Sequence, residues 1–311
     1  MRNSANNLTI GDLPAVTAGR NGWPWDASGQ ARQAAASLGA NPTPTVTIVT
    51  PSLDQGEFVE ETIRSVLAQD YPHLEYIVMD GGSTDDSPAI IERYSPWLTH
   101  WRSAPDRGQS DAINRGLARG SGEVCGWLCS DDVLMPGALA TVGRYFAEHP
   151  TCQWLAGAAD FVGPDGWALD HSQAGLVGEM ALLDYWRWGM AGHALPQAAC
   201  FWRRGLWEQA GGLTVGNELA MDFELWLKFR ELTELHTVEA TLASCKVHPA
   251  AKTRRQRRQT YAARRRCALV AARRRNIRPG RVLWRKIAWT VAWRVRRLCG
   301  RIRRKLPILS L

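Results

Sequence analysis

From residue 45 onward the hydrophobic positions fall in short continuous runs, separated by stretches with a three-to-four spacing. That is the alternation of buried strands with amphipathic helices. Thr45 to Thr50 is β-branched throughout and predicts a first strand, stopped by Pro51. Over Glu57 to Gln69, Phe58, Ile63, Val66 and Leu67 make an apolar stripe while Glu57, Glu60 and Glu61 load the amino-terminal turn, so a helix is expected. Leu74 to Met79 predicts a second strand running into Asp80-Gly81-Gly82-Ser83-Thr84-Asp85-Asp86, with a helix from about Ser87 to Tyr94. The run Val124 to Cys129, entered through Ser121-Gly122, is too short to cross a membrane and reads as a buried strand ending in Ser130-Asp131-Asp132. Strand, acid-bearing turn and helix in repetition predict an α/β fold: a Rossmann-like, mostly parallel sheet flanked by helices. Further on, Trp154 to Phe161 with the Pro164-Asp165-Gly166 turn reads as sheet and hairpin, Glu179 to Trp188 as a helix, and Leu235 to Val247 as a closing strand pair.

Residues 1–44, rich in Asn, Gly, Ala and Pro, show no sustained periodicity apart from a short helical stretch at Gln30 to Leu38, and are expected to be a mobile leader. The 311 residues, 45% hydrophobic and 22% charged, suffice for one large core or two modest ones. The net charge of +8 hides a division. Residues 1–239 carry 15 Lys and Arg against all 30 acids, a net −15, whereas residues 240–311 carry 23 basic residues and no acid. An acidic body with a basic tail implies an anionic partner for the tail. Seven irregularly spaced cysteines make neither a disulfide framework nor a zinc pattern. Cys125 and Cys129, four apart on the expected strand, would share a face as small core residues. With no cleavable signal and no 18-residue apolar run, the expected compartment is the reducing cytosol.

Ligands of doubly wound sheets bind at the carboxyl ends of the strands. Pro51 to Gln55 with Asp54, Asp80 to Asp85 with Gly81 and Ser83, and Ser130 to Asp132 should therefore line one crevice. Asp131 and Asp132 repel each other unless a cation or donors stand between them. A divalent ion, Mg²⁺ or Mn²⁺, holding a diphosphate suits such a pair; the plainer alternative is a cap on the helix that Pro136 begins. Ser103 to Asn114 reads as a loop entering a helix, where Arg107 and the first N–H groups suit phosphate and Asp111 and Asn114 suit loop orientation. The alternative is a helix start capped by Ser110.

Pro51-Ser52, Asp80-Gly81-Gly82-Ser83-Thr84-Asp85, Pro105-Asp106-Arg107-Gly108-Gln109-Ser110-Asp111-Ala112 and Ser130-Asp131-Asp132 together resemble the family 2 glycosyltransferases of GT-A fold. The resemblance continues to residue 253 and implies a catalytic domain over 45–253, its nucleotide-sugar half 45–132 and its acceptor half 133–253. It implies that Asp80 reads the nucleotide base, that Asp131 lies near the ribose and sugar, and that Asp132 holds the metal as the counterpart of the DXD motif. Pro196 to Arg203 would lie beside the reaction centre, with Gln197 touching donor or acceptor unless it is a buried, satisfied amide. Asp222, which alone would read as a helix cap, becomes the general base, with Glu224 as back-up. His248 would complete the metal and diphosphate site and Lys252 would touch phosphate. The chain departs from the family pattern at Ala251, at Leu53-Asp54 and at Cys129, where Ser, Tyr-Asn and Asn are frequent.

The expected activity is metal-dependent, inverting transfer of a sugar from a UDP- or GDP-type nucleotide-diphosphate sugar to a hydroxyl of a glycan or lipid-linked acceptor, in surface polysaccharide or glycolipid synthesis. Rival readings are a non-catalytic lipid- or nucleic-acid-binding protein on the same scaffold, or a nucleotidyltransferase or phosphohydrolase. In the basic tail, 254–311, Trp284, Ile287, Ala288, Val291, Val295, Leu298 and Ile302 follow helical spacing, widened by Trp289 and Trp293, with Arg285, Arg294, Arg296 and Arg297 elsewhere. This is the pattern of an interfacial helix on an anionic membrane surface, which would make the protein peripheral at the inner face of the cell membrane. The alternatives are a helix packed on the acidic body, or nucleic acid, for which no recognition motif is present.

Overall fold

The computed structural model describes residues 9–16, 19–26, 29–39, 42–163, 167–172, 182–187, 195–249 and 255–303, with side chains of the last helix as far as Arg294. A short helix α1 (Gly29–Ala36) precedes the sheet. Four parallel strands then form one half of it: β1 (Val46–Ser52), β2 (Leu74–Asp80), β3 (His100–Ser103) and β4 (Val124–Trp127), in the order β3-β2-β1-β4. Helices α2 (Val59–Leu67), α3 (Ser87–Arg93) and α4 (Gln109–Leu117) make the crossovers. The first strand runs through Pro51 rather than stopping there. Val49 and Pro51 turn their backbone groups towards β4, whose last ladder bond is Leu128 N–H to the Val49 carbonyl. The missing N–H of Pro51 therefore falls beyond the neighbour's end and breaks no pair.

The second half is mixed: β5 (Asp132–Leu134), β6 (Trp154–Val162), β7 (Ala168–Ser172), β8 (Cys200–Arg203) and β9 (His236–Lys246) continue the order as β4-β8-β6-β9-β5, with β7 beside β6. Here only β6 and β9 pair in parallel, so the expected mostly parallel sheet is confined to the first four strands. The expected closing pair is one eleven-residue strand, β9, wedged between β6 and β5. Residues 164–166 of the expected hairpin turn lie outside the described residues, as do 179–181 and 188 of the expected helix at 179–188, whose described part, 182–187, forms turns rather than a continuous helix.

Helices α5 (Ala138–Glu148), α6 (Arg204–Ala210) and α7 (Met221–Leu232) complete the body. One core, rich in tryptophan, ties the acid-bearing strand to α7. Trp127, the last residue of β4, stacks on Trp226 with ring centres 5.9 Å apart and planes at 7°, and Trp154 and Trp202 close around them. The rim at Asp131 is thereby fixed relative to the first turn of α7. The described part of the first 44 residues packs on the body: Trp25 is buried under Arg20, Pro14 accepts from Arg64, and the Trp23 indole donates to the Leu134 carbonyl at 2.7 Å. The basic tail forms α8 (Arg257–Arg274) and α9 (Pro279–Arg303). Ala263, Ala268, Ala271 and Ala272 bury one side of α8 in the tryptophan core, and α9 is held by Val282 and by a two-pronged Arg285–Asp184 pair at 3.0 and 2.8 Å.

At the opposite end of the strands from the candidate site, Glu75 accepts hydrogen bonds from Thr47, from the Ser121 hydroxyl and N–H, and from the Gly122 N–H, all at 2.5–3.0 Å. Burial raises its pKa, but the four donors outweigh that and leave the carboxyl below the ordinary glutamate value of 4.5. This stabilisation is present above the unfolded-state value and is lost as pH falls through the folded one. Glu75→Ala, which strands four donors, should cost about 3 kcal/mol by urea denaturation at neutral pH, and less in mild acid.

Candidate active site

The carboxyl ends of β1, β2 and β3 are stapled together by their own turn residues. Asp54, with φ at +51°, accepts from the Thr84 N–H at 2.8 Å and gives its own N–H to the Ser83 hydroxyl. Asp85 accepts from the Gly56 and Ser87 N–H groups, and Gly81 donates to the Ser52 carbonyl. Asp80, only 3% exposed, accepts from the N–H groups of Gly82 and Ser83 and from the hydroxyls of Ser83 and Ser103. Its carboxylate therefore organises the floor of the turn. Pro51 is buried one residue before the strand's end.

The loop between β3 and α4 folds back onto this floor, since a Cβ at Gly81 would stand 3.0 Å from Asp106. Asp106 accepts from the Gly108 N–H, and Asp111 accepts from the N–H and the guanidinium of Arg107 and pairs with Arg115. Arg107's hydrogen bond holds the Asp111 carboxyl below its usual range. The start of α4, suited in sequence to phosphate, meets Glu218 instead, which accepts from the Ser110 N–H at 3.1 Å. Gly108, with φ at +110°, lies so close to Glu218 that a Cβ would come within 2.9 Å of it. Ser110 in turn donates to the Met221 sulfur, which brings this loop to the residue before Asp222.

The acid pair lies past the end of β4. Asp131 Oδ2 lies in hydrogen-bond contact with His248 Nε2 at 3.0 Å, and the His248 ring packs on Phe58. Asp132 is buried on β5, where Cys245 and the Lys246 N–H hydrogen-bond it; burial first and then Asp131 push its carboxyl well above the usual aspartate range. Cys129 does not share a strand with Cys125, because β4 ends at Trp127 and the chain turns. Its sulfur stands among the acids: ligand atoms of Cys129, Asp131 and Asp132 lie within 4.8 Å of one another. Gln197 donates to the Trp127 carbonyl at 2.6 Å and accepts from the Cys129 thiol at 3.5 Å, so its amide borders the same rim.

Asp222 sits within the first turn of α7, where its Oδ1 accepts from the Phe223 N–H at 2.7 Å. It lies near enough to Cys200, three residues past Gln197, to push that thiol's pKa up, after burial. Glu224 is committed to the loop before α7, accepting from Thr214 and Asn217 at 2.9 and 2.6 Å. The structure thus gathers Asp131, Asp132, His248 and Gln197 around Cys129, and the β3–α4 loop joins this cluster to the Asp80 turn through Gly81 and Asp106 and to the start of α7 through Ser110 and Met221.

Residues 47–202, half of the chain, match the family model described as Glycosyl transferase family 2. The chain belongs to this family. An uncharacterized glycosyltransferase of Mycobacterium tuberculosis is 31% identical over 204 residues, 64% of this chain and 74% of that one. The putative teichuronic acid biosynthesis glycosyltransferase TuaG of Bacillus subtilis is 29% identical over 145 residues, 45% of this chain and 57% of TuaG. Among solved structures, S. aureus TarS superposes with a TM-score of 0.58 at 16% identity, over 78% of this chain and 43% of TarS. The mannosyltransferase PcManGT from Pyrobaculum calidifontis, solved with GDP-Man and Mn²⁺, gives 0.54 at 19% identity, over 78% of this chain and 70% of that one. These likenesses show the GT-A type of fold.

Two residues of this glycosyl transferase escape a reading by motif. Glu218 at the α4 start carries no signal beyond a single acid. Arg264, half-buried on α8 with its Nε out of solvent and lacking a hydrogen-bond partner among the described residues, is close enough for Asp222 to act on its charge; burial lowers its pKa and Asp222 opposes that. In the sequence it is one arginine in a run of three.

Proposed function

We propose that this family 2 glycosyl transferase moves a sugar from a nucleotide-diphosphate sugar, of UDP or GDP type, to a hydroxyl of a glycan or lipid-linked acceptor, with inversion and with a divalent metal ion. The observation that carries the reading is the packing of ligand atoms of Asp131, Asp132 and Cys129 within 4.8 Å of one another. Two carboxylates and a thiol, one carboxyl disfavoured as an anion by burial and by its neighbour, form a donor set that fits Mn²⁺ or a similar ion. When bound, such an ion supplies positive charge to the leaving diphosphate.

The chain's own residues account for the rest. Asp80 and Ser83 shape the floor that receives the nucleotide, with Asp54 and Gly81 holding the β1 and β2 turns against each other. Arg107, exposed while paired with Asp111, is free to swing its guanidinium towards a phosphate. Gln197 holds the wall beside the acid pair, and His248 orients Asp131. Asp222 takes the proton of the acceptor hydroxyl as its oxygen bonds to the anomeric carbon. The bond from that carbon to the diphosphate oxygen breaks, and the nucleotide diphosphate leaves on the opposite face. TuaG's name supports surface polysaccharide as the setting. A thermal-shift screen of nucleotide sugars should find one donor that raises Tm by several degrees with Mn²⁺ and little without it. No shift from any donor, in either condition, would count against the reading.

The tail supports attachment to an anionic membrane surface. Trp284, Ile287 and Val291 stand 68, 61 and 56% exposed on one face of α9, while Arg285 on another face ties the helix to the body. Such a face dips into the lipid interface, and the surrounding arginines meet headgroups. No helix among the described residues is long and apolar enough to cross a membrane. Trp284→Ser with Ile287→Ser should reduce cosedimentation with anionic vesicles by about tenfold, and unchanged cosedimentation would remove the membrane role.

A further inference from the structure

Cys129 differs from Cys125, Cys152 and Cys200 in its surroundings. Cys125, Cys152 and Cys200 are buried, and burial pushes their thiols up. Cys129 is half-buried at the rim, two residues past β4, with its sulfur held from two sides. Gln109 Nε2 donates to it at 3.2 Å, and the thiol donates to Gln197 Oε1 at 3.5 Å. Gln197 is itself anchored to the Trp127 carbonyl. The two amides thus hold the sulfur where it lies within 4.8 Å of ligand oxygens of both Asp131 and Asp132. A cysteine that only filled space would need neither amide.

We propose that Cys129 is a direct ligand of the divalent ion, so that the centre is a mixed thiolate and carboxylate site selecting Mn²⁺, Co²⁺ or Zn²⁺ over Mg²⁺. This rests on the metal reading given under Proposed function. As the sulfur-to-metal bond forms, the thiol proton is released to solvent. Hard Mg²⁺ gains nothing from a thiolate and prefers an all-oxygen shell, whereas the softer first-row ions gain increasingly along their series. Gln109 and Gln197 orient the sulfur, and His248 orients Asp131, as outer partners of the site. Asp132, joined to Cys245 and the Lys246 N–H, is set by the β5 to β9 pairing.

The test is a Co²⁺ titration of the full chain, reduced and stripped of metal, followed by absorbance. The expected result is a sulfur-to-cobalt charge-transfer band in the near ultraviolet that saturates at one equivalent. It should vanish in Cys129→Ser and in Cys129→Asn but persist in Cys245→Ser. Mn²⁺ binding, read by electron paramagnetic resonance, should survive Cys129→Ser, while Co²⁺ affinity falls at least about tenfold. Cobalt bound without the band in the parent chain, or with the same band in Cys129→Ser, would overturn the thiolate ligand alone. Failure of either ion to bind the parent chain would overturn the metal reading and this proposal with it.

Discussion

Asp222→Asn is expected to slow sugar transfer by about 10³-fold while the donor dissociation constant and Tm stay near the parent values. The amide keeps the shape of the side chain and can still accept from the Phe223 N–H, the bond that sets the carboxyl's orientation in the first turn of α7. What it cannot do is take a proton from an attacking hydroxyl. The hydrogen bonds that hold Asp80 and Asp54 in the nucleotide floor do not involve Asp222, so donor binding should not register the change. The check is kcat at saturating donor together with a donor titration. Glu224→Gln gives the contrast: its two oxygens already serve Thr214 and Asn217, so it should cost stability before rate. An Asp222→Asn enzyme that transfers at the parent rate would move the base elsewhere.

Asp132→Asn should lose about 10³-fold in transfer, the several kcal/mol that a metal contributes to a leaving group, yet be no less stable without metal. Asp132 is buried beside Asp131, and both burial and that neighbour disfavour its charge. An amide removes the repulsion while its oxygen still accepts from the Lys246 N–H, so a rise in Tm of about 2 °C is expected in the absence of metal. Loss of function with gain of stability is the mark of a site held under electrostatic strain for a ligand. A variant that loses both together would make Asp132 a structural acid. Calorimetry and the transfer assay on the same preparation decide between them.

Much of this arrangement was legible because strand ends and glycine-rich acidic turns leave local signatures. β1, β2, α2 and α3 match the periodicity within a few residues, and Asp80 stands at a strand end as its polarity required, whereas Asp131 and Asp132 lie past the end of β4, in a turn and at the start of β5. Pro51 misled by a physical accident: it lacks a ladder donor, but its side of the strand has no neighbour left to need one. Cys129 was hidden by an assumed strand that ends at Trp127, because an apolar run does not mark where its backbone turns. The antiparallel strands β8, β6 and β5 were not distinguishable from parallel ones, since pairing direction depends on partners far away in the chain. Arginine spacing alone could not say that α8 buries an alanine face on α7 while α9 keeps an exposed apolar stripe.

The central claim is that acids distant in sequence converge around one cation and one nucleotide diphosphate. Isothermal titration of UDP and of GDP into the full chain, with and without Mn²⁺, tests it most directly, with Asp132→Asn alongside. The account expects Mn²⁺ to tighten one nucleotide by about tenfold or more, and expects that gain to disappear in the variant. Equal affinity with and without Mn²⁺ for the nucleotide that binds would contradict it.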